Sequence, residues 1–172
     1  MPKRVAVTGV PGVGKSTLVM RVLDRLGCRV GGVLAREVRL GEKRVGFELI
    51  DLQSGEVGTL ASADGDGPKL GRYRINLAAL EDIGAKAIER AVREADLVVI
   101  DEVGPMELFS DGFAGAVEAA LDSLKPILVV VQMRSRHPLA VRIKEEFRLF
   151  VVTEMNRDDL PGMVASEFSS TI

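Results

Sequence analysis

Two short stretches of this 172-residue chain carry residues whose types and spacing could do chemistry. The first is GVPGVGKST, which matches the pattern G-x-x-x-x-G-K-[ST] from Gly9 to Ser16. Glycines let backbone N–H groups turn towards phosphate oxygens, Lys15 can reach the β and γ phosphates, and a serine hydroxyl can bind Mg²⁺. The spacing therefore predicts a phosphate-binding loop (P-loop).

The second stretch is LVVIDEVGPMEL, in which an apolar run ends in the adjacent carboxylates Asp101 and Glu102. A P-loop protein needs a second strand whose terminal acid holds Mg²⁺, and Asp101 stands at that position. A carboxylate one residue further on can orient a water for attack on the γ phosphate, and this predicts a catalytic role for Glu102. The competing interpretation of Glu102 is a solvated charge at the end of a strand.

Together these stretches define a predicted site. Lys15 and Glu102 are the expected catalytic residues, and Ser16 with Asp101 is the expected pair for Mg²⁺, the expected cofactor. We expect Thr17 to contact the α phosphate side through its backbone. The predicted phosphate contacts are Gly9, Val10, Pro11, Gly12, Val13, Gly14, Lys15, Ser16 and Thr17.

The elements around the P-loop have the pattern that the motif requires. RVAVT before it predicts a buried strand, and LVMRVLDRL after it has apolar residues at helical spacing, with Gly27 placed as a C-terminal cap. From 28 to 76 the runs are short, punctuated by glycine and rich in valine and aromatics, which predicts antiparallel strands. LGEK predicts a hairpin turn there, and 63–71 predicts a loop.

After residue 76 the pattern alternates between helices and strands. Asn76 is placed to cap a helix from about 77 to 95, and Ser110 or Asp111 to cap another through about 124. LVVID, PILVVV and RLFVV predict buried strands, whereas PLAVRIKEEF and the tail after 157 predict helices. We expect an α/β fold with a mostly parallel central sheet flanked by helices and an antiparallel β insertion at about 28–76.

Composition narrows the class of protein. A chain of 172 residues with 47% hydrophobic and 28% charged residues predicts a single globular domain over 1–172. A net charge of −2 gives no global electrostatic footprint for nucleic acid or an anionic membrane. No run approaches the ~20 apolar residues of a membrane span, and the apolar run after MPKR is too short for a signal peptide. We expect a cytoplasmic protein in which Cys28 is a core residue.

The order and spacing of several motifs resemble a known family. DEVGPMELFS, EVR followed by GFELIDL, the GRYRI element and the late TEMNRDDL are similar to the small P-loop nucleoside-triphosphatases of thermophilic prokaryotes, whose human relative is called cancer-related nucleoside-triphosphatase. The resemblance covers nearly the whole chain. The P-loop alone is generic, whereas DE-[IV]-G-x-M-E-L together with EVR and GF is specific.

This resemblance implies a RecA-like P-loop domain, in which one strand usually separates the P-loop strand from the acidic strand. It also implies slow hydrolysis of ATP, GTP, CTP and UTP or TTP with little base preference, and weaker turnover of diphosphates. Ala35 departs from the family, which often has threonine there, so the resemblance does not carry a hydroxyl contact over to this position. The resemblance places further nucleotide contacts beside the acidic strand, at Val98, Val99, Ile100, Asp101, Glu102, Val103, Gly104 and Pro105.

Five arginines could supply a cation near the γ phosphate or could be solvated surface charges. Arg36, Arg39 and Arg44 lie in the predicted β insertion, and Arg134 and Arg136 follow the apolar strand PILVVV. Loops at the carboxyl ends of strands face the ligand in open α/β sheets, which favours the last two.

Four other polar residues have open roles. Glu107 either orders the loop of Glu102 or starts the next helix. Asn156 and Arg157 follow the RLFVV strand, where a nucleobase could lie, although Asn156 could instead cap a helix. His137 has no second His or Cys nearby, so we expect a loop residue and not a metal ligand.

Nucleoside triphosphates are the expected partners, and we expect a monomer or weak oligomer with no membrane partner. Two alternatives to hydrolysis stay open: a nucleotide or small-metabolite kinase, and a nucleotide-switched module that binds RNA or protein. The sequence has no clear lid with clustered arginines, which disfavours a kinase. Glu145 and Glu146 interrupt the basic stretch after residue 134, which disfavours nucleic acid without excluding it.

Overall fold

The computed structural model describes residues 1–169, and within them nine strands form one sheet. The predicted strands are confirmed, and the expected loop at 63–71 contains one further short strand, β5. The strands are β1 (Arg4–Thr8), β2 (Val30–Leu40), β3 (Lys43–Asp51), β4 (Val57–Ser62), β5 (Lys69–Leu70), β6 (Tyr73–Ile75), β7 (Leu97–Val103), β8 (Ile127–Val131) and β9 (Arg148–Val151).

The order across the sheet is β5-β6-β4-β3-β2-β7-β8-β1-β9. Five neighbouring strands are parallel, in the order β2-β7-β8-β1-β9. Strands β3, β4, β6 and β5 continue the sheet from β2 in antiparallel pairing. The antiparallel region is therefore an extension at one edge, joined through β2, which pairs with β7 on one side and β3 on the other. Strand β8 separates β1 from β7, so the expected RecA-like order is confirmed.

Helices cover both faces of the sheet. Asn76 accepts a hydrogen bond from the backbone N–H of Ala79, and Ser110 accepts one from Phe113, which confirms Asn76 as a helix cap and decides for Ser110 over Asp111. The helical segments are α1 (Lys15–Leu23), α2 (Leu77–Ala79), a π-helical segment (Leu80–Ala85), α3 (Lys86–Glu94), a 3₁₀ turn (Glu107–Phe109), α4 (Asp111–Asp122), α5 (Pro138–Glu146) and α6 (Leu160–Phe168).

Two helix predictions need correction. Helix α1 ends at Leu23 with Asp24 as its C-cap, so the predicted cap at Gly27 is wrong. The chain tightens there because Arg25 and Leu26 donate backbone hydrogen bonds to carbonyls only three residues earlier. The predicted helix over 77–95 is interrupted by the π-helical segment, which begins four residues after the Asn76 cap.

The core lies in two layers, one on each face of the sheet. Helices α1 and α6 pack on one face through Leu18, Val22 and Phe168, all at most 1% exposed. The other face packs against the π-helical segment, α3, α4 and α5 through side chains such as Ile88 and Phe113. Strands β1, β7 and β8 are thus covered on both sides, as their continuous apolar sequences predict.

None of the helices in the described part of the chain has the length and apolar character that crossing a membrane requires.

Candidate active site

The P-loop joins the carboxyl end of β1 to the amino end of α1. Gly14 is the N-cap of α1 with φ of 107°, and Gly12 has φ of 80°, a region that other residues rarely adopt. The cap makes no side-chain hydrogen bond to the first turn of α1. The N–H groups of that turn are therefore available to an anion, and the helix dipole favours negative charge there.

Lys15 folds back across the loop that precedes it. Its Nζ donates a hydrogen bond of 2.7 Å to the carbonyl oxygen of Gly9, at the start of the loop. The ammonium group thus lies over the backbone turn that holds phosphate in P-loop proteins. This geometry suits the charge-balancing role predicted for Lys15.

Ser16 and Asp101, the predicted Mg²⁺ pair, are in direct contact. Ser16 Oγ donates a hydrogen bond of 2.7 Å to Asp101 Oδ2, and Asp101 is only 2% exposed at the end of β7. A hydroxyl and a carboxylate are hard oxygen ligands of the kind that Mg²⁺ prefers, together with waters and substrate phosphates. Residues 1–169 contain no group of three His, Cys, Asp or Glu side chains that could hold a metal by protein ligands alone. The pair fits Mg²⁺ bound jointly with a nucleotide.

The electrostatics of Asp101 agree with a cation site. Burial, together with a smaller effect of the Glu102 charge, raises the pKa of Asp101 to about 7. The hydrogen bond from Ser16 and the charge of Lys15 act in the opposite direction. A cation at this position would favour the ionised carboxylate.

Glu102 follows Asp101 through a cis peptide bond and is partly exposed. Burial raises the pKa of Glu102, and the positive charge of Lys15 lowers it. The side chain folds over the backbone of Gly104, where an added Cβ would come within 2.9 Å of Glu102 Oε1. A carboxylate capable of orienting a water thus stands beside the predicted Mg²⁺ pair and the lysine.

The remaining residues of the acidic strand have different environments. Val98, Val99, Ile100 and Val103 are fully buried in the sheet, where they support the strand that carries Asp101. The segment at Gly104 and Pro105 lies beyond the end of β7. Nucleotide contacts along 98–105 stay a prediction.

The three arginines of the β extension are paired with neighbouring groups. Arg36 bonds Glu48 at 3.1 Å, and Arg39 bonds Glu37 at 3.0 Å. Arg44 bonds Glu37 at 3.2 Å and the hydroxyl of Tyr73 at 2.9 Å. These pairings give each of the three guanidinium groups a local structural role.

Arg134 and Arg136 are exposed in the loop after β8, at the carboxyl edge of the sheet. Lys144 of α5 holds this loop by donating to the carbonyl oxygens of Met133, at 2.7 Å, and Ser135, at 2.8 Å. The position of Arg134 and Arg136 agrees with the expectation that loops at the carboxyl ends of strands face the ligand. A role for either as an arginine finger stays a prediction.

The turn after β9 contacts the P-loop. Arg157 Nη1 donates a hydrogen bond of 3.3 Å to the carbonyl oxygen of Val13, a contact between residues 144 positions apart that no sequence pattern indicates. Asn156 is not the cap of α6, which begins at Leu160. Its side chain instead closes the turn, accepting from the N–H of Thr153 and donating to the carbonyl of Val151.

Two other polar residues have a defined place. His137 is the N-cap of α5, because its Nδ1 accepts a hydrogen bond of 3.1 Å from the N–H of Leu139. A His-Pro pair before an apolar helical pattern was the available signal for that cap. Glu107 lies in the 3₁₀ turn that precedes α4 and is only 2% exposed.

Comparison with known proteins agrees with this geometry. The family described as NTPase matches residues 4–165. Nucleoside-triphosphatase THEP1 of Methanosarcina barkeri is 46% identical over 169 residues, covering 96% of this chain and 97% of that protein. The crystal structure of THEP1 from the hyperthermophile Aquifex aeolicus superposes with a TM-score of 0.87 at 34% identity, covering 96% of this chain and 98% of the other.

The solution structure of a human cancer-related nucleoside triphosphatase superposes with a TM-score of 0.80 at 32% identity, covering 99% of both chains. The relative predicted from the motifs is thus confirmed by the fold. Together with the P-loop, the acidic strand and the RecA-like strand order, these matches show that the chain belongs to the NTPase family of nucleoside-triphosphatases.

Proposed function

We propose that this chain is a Mg²⁺-dependent hydrolase that converts nucleoside triphosphate and water to nucleoside diphosphate and phosphate, slowly and with broad base specificity. The observation that carries the proposal is the 2.7 Å contact between Ser16 and Asp101, with Lys15 and Glu102 beside it. Phosphate, cation and water each have a candidate protein partner within one site.

Each residue has a distinct part in the proposed reaction. The glycine-rich loop and the first turn of α1 bind the phosphates through N–H groups, and Lys15 balances the charge that builds up on the β and γ phosphates. Glu102 orients a water and accepts its proton as that water attacks the γ phosphorus. Mg²⁺, when bound with the substrate, supplies positive charge to the transferring phosphoryl group.

Slow turnover has structural support, whereas broad base specificity rests on the family resemblance. Arg36, Arg39 and Arg44 are paired within the β extension, so none of these three cations is committed to a phosphate. An arginine finger contributes about 10³ to 10⁵ in rate where it is present.

We also propose weaker turnover of diphosphates and a single domain over 1–172, whose residues 170–172 lie outside the described part. We further propose a cytoplasmic location and a monomer or weak oligomer.

The test is phosphate release from ATP, GTP, CTP and UTP with Mg²⁺ and no added acceptor, comparing wild type with Glu102→Gln. We expect similar kcat on all four nucleotides, a fall of about 10²-fold or more in the variant, and unchanged nucleotide affinity. Glu118→Gln is the matched control, since Glu118 is exposed on α4. Unchanged turnover in Glu102→Gln would disprove the role of Glu102, and phosphate transfer to an added hydroxyl acceptor in excess of release to water would favour a kinase.

A further inference from the structure

The side chain of Glu102 lies directly against the α-carbon of Gly104. A Cβ added to Gly104 would come within 2.9 Å of Glu102 Oε1, 3.2 Å of its Cδ and 3.3 Å of its Cγ. Gly104 is not among the glycines with positive φ, so its backbone conformation is one that alanine also adopts. Glycine is therefore required at this position for space, and the group that needs the space is the carboxylate of Glu102.

The 3₁₀ turn that contains Glu107 holds Gly104 in place. The carbonyl oxygen of Gly104 accepts a hydrogen bond of 3.0 Å from the N–H of Leu108, and the carbonyl of Glu107 accepts one of 3.2 Å from Ser110. The backbone N–H groups of Gly104 and of Glu107 itself lower the pKa of the Glu107 carboxyl, which places both groups near it. The turn that contains Glu107 thus holds the backbone against which Glu102 packs.

Glu107 has an unusual environment for an acidic residue. It is 2% exposed, and its Oε1 is buried with no hydrogen-bond partner among the described residues. Burial raises the pKa of Glu107 well above its usual range, and the negative charge of Glu102 raises it further. A buried polar atom without a partner costs free energy, which a role in the site would explain better than the start of a helix.

We propose that Gly104 and Glu107 are positioning residues for Glu102, the glycine by leaving room for its side chain and Glu107 by anchoring the Gly104 backbone beneath it. This inference rests on the proposed catalytic role of Glu102. Among residues 1–169 the Glu102 carboxylate makes no hydrogen bond to the protein, so packing and charge determine where it stands. A displacement of about 1 Å in a catalytic group can lower a rate 10²-fold.

The first test is Gly104→Ala. The atom that the new Cβ meets first is the far end of a flexible side chain, so the fold tolerates the change while the Glu102 carboxylate moves. We expect kcat to fall about 10²-fold, with unchanged nucleotide affinity and unchanged Tm. Gly115→Ala is the matched control, because a Cβ at Gly115 meets nothing within 4 Å.

The second test compares Glu107→Gln with Glu107→Leu. Glutamine keeps an acceptor oxygen near the N–H of Gly104, whereas leucine removes it. We expect kcat, measured well below the Tm of each variant, to be at least about tenfold higher in Glu107→Gln than in Glu107→Leu, with similar KM. A role in folding alone would lower Tm in Glu107→Leu and leave kcat equal in the two variants.

Glu102→Gln, measured alongside, separates the two proposals. If Glu102→Gln loses turnover while Gly104→Ala keeps the wild-type kcat, the positioning inference is wrong and the proposed function stands. Equal kcat in the two Glu107 variants would also overturn the inference for Glu107. If Glu102→Gln keeps the wild-type kcat, the catalytic role of Glu102 is wrong and the positioning inference falls with it.

Discussion

Ser16 Oγ and Asp101 Oδ2 are 2.7 Å apart, although 85 positions separate the two residues in the chain. The contact joins the first turn of α1 to the carboxyl end of β7, two strands away from β1 in the sheet. It places a hydroxyl and a carboxylate at the point where the P-loop presents its N–H groups. The fold therefore brings the predicted Mg²⁺ pair into direct contact.

Removing the hydroxyl of this pair should weaken the binding of Mg²⁺. We expect Ser16→Ala to raise the Mg²⁺ concentration for half-maximal turnover by at least the 10–100-fold that changes around metal sites typically cost. The measurement is a Mg²⁺ titration of phosphate release at fixed nucleotide. Ser166→Ala, which alters an exposed hydroxyl on α6, is the control, and an unchanged Mg²⁺ titration in Ser16→Ala would contradict the assignment.

The metal-free protein should lose stability as pH rises from about 4 to about 7. Burial raises the pKa of Asp101 from 3.8 to about 7, so between these values the folded state binds more protons than the unfolded state. The free energy of unfolding then falls with pH, at up to about 1.4 kcal/mol per pH unit for one group. Burial also raises the pKa of Glu102 and Glu107, which acts in the same direction.

Urea unfolding in EDTA at pH 4.5, 6.0 and 7.5 (roughly spanning that interval) measures this slope. Asp101→Asn should flatten it, since asparagine keeps an acceptor for Ser16 and does not titrate. The pKa of Asp51 is lowered instead, so the contribution of Asp51 to the free energy of unfolding is lost only as pH falls below the range of an ordinary aspartate. Stability that rose with pH between 4.5 and 7.5 would show that Asp101 is not buried in this way.

Asp51 should stabilise the junction between the β extension and α3. This carboxylate, 3% exposed at the end of β3, accepts from the N–H groups of Gln53 and Ser54 and bonds Arg90 of α3. We expect Asp51→Ala to lower the free energy of unfolding by about 3 kcal/mol, because it removes the buried carboxylate that the half-buried Arg90 guanidinium and two backbone N–H groups contact.

Urea unfolding measures the loss, and Asp96→Ala is the comparison, since Asp96 pairs with Arg29 at the surface. The surface change should cost far less. Turnover of Asp51→Ala well below its Tm should match wild type. A loss in Asp51→Ala no greater than in Asp96→Ala would show that the Asp51 cluster does not hold this junction.

Arg157 should support the P-loop without reading the base. Its hydrogen bond to the carbonyl of Val13 braces the loop from the turn after β9. We expect Arg157→Ala to raise KM by about tenfold, the equivalent of one charged hydrogen bond, and by the same factor for ATP, GTP, CTP and UTP. Arg93→Ala, at an exposed position of α3, is the control. A change confined to one nucleotide would instead indicate a contact with its base.

The order of strands and helices was largely readable from the sequence, because each depends on local patterns of apolar residues and on local caps. The Asn76 and Ser110 caps and the apolar strand around Val98 are examples. The prediction at Gly27 was wrong because glycine permits a helix end without requiring one, and the chain tightened a turn earlier. The π-helical segment leaves no such local signal, since its extra residue is accommodated by packing against neighbouring elements.

The sequence by itself predicted the phosphate-binding loop, because the motif is contiguous and its glycines, Lys15 and Ser16 lie within one turn of backbone. The sequence also predicted that Asp101 pairs with Ser16, and strand order and helix packing bring the two into contact. Only the tertiary structure decided that Arg157 reaches the P-loop. The burial of Glu107 was likewise decided by the tertiary structure, since the exposure of a side chain depends on the whole fold and not on the neighbouring residues in the sequence.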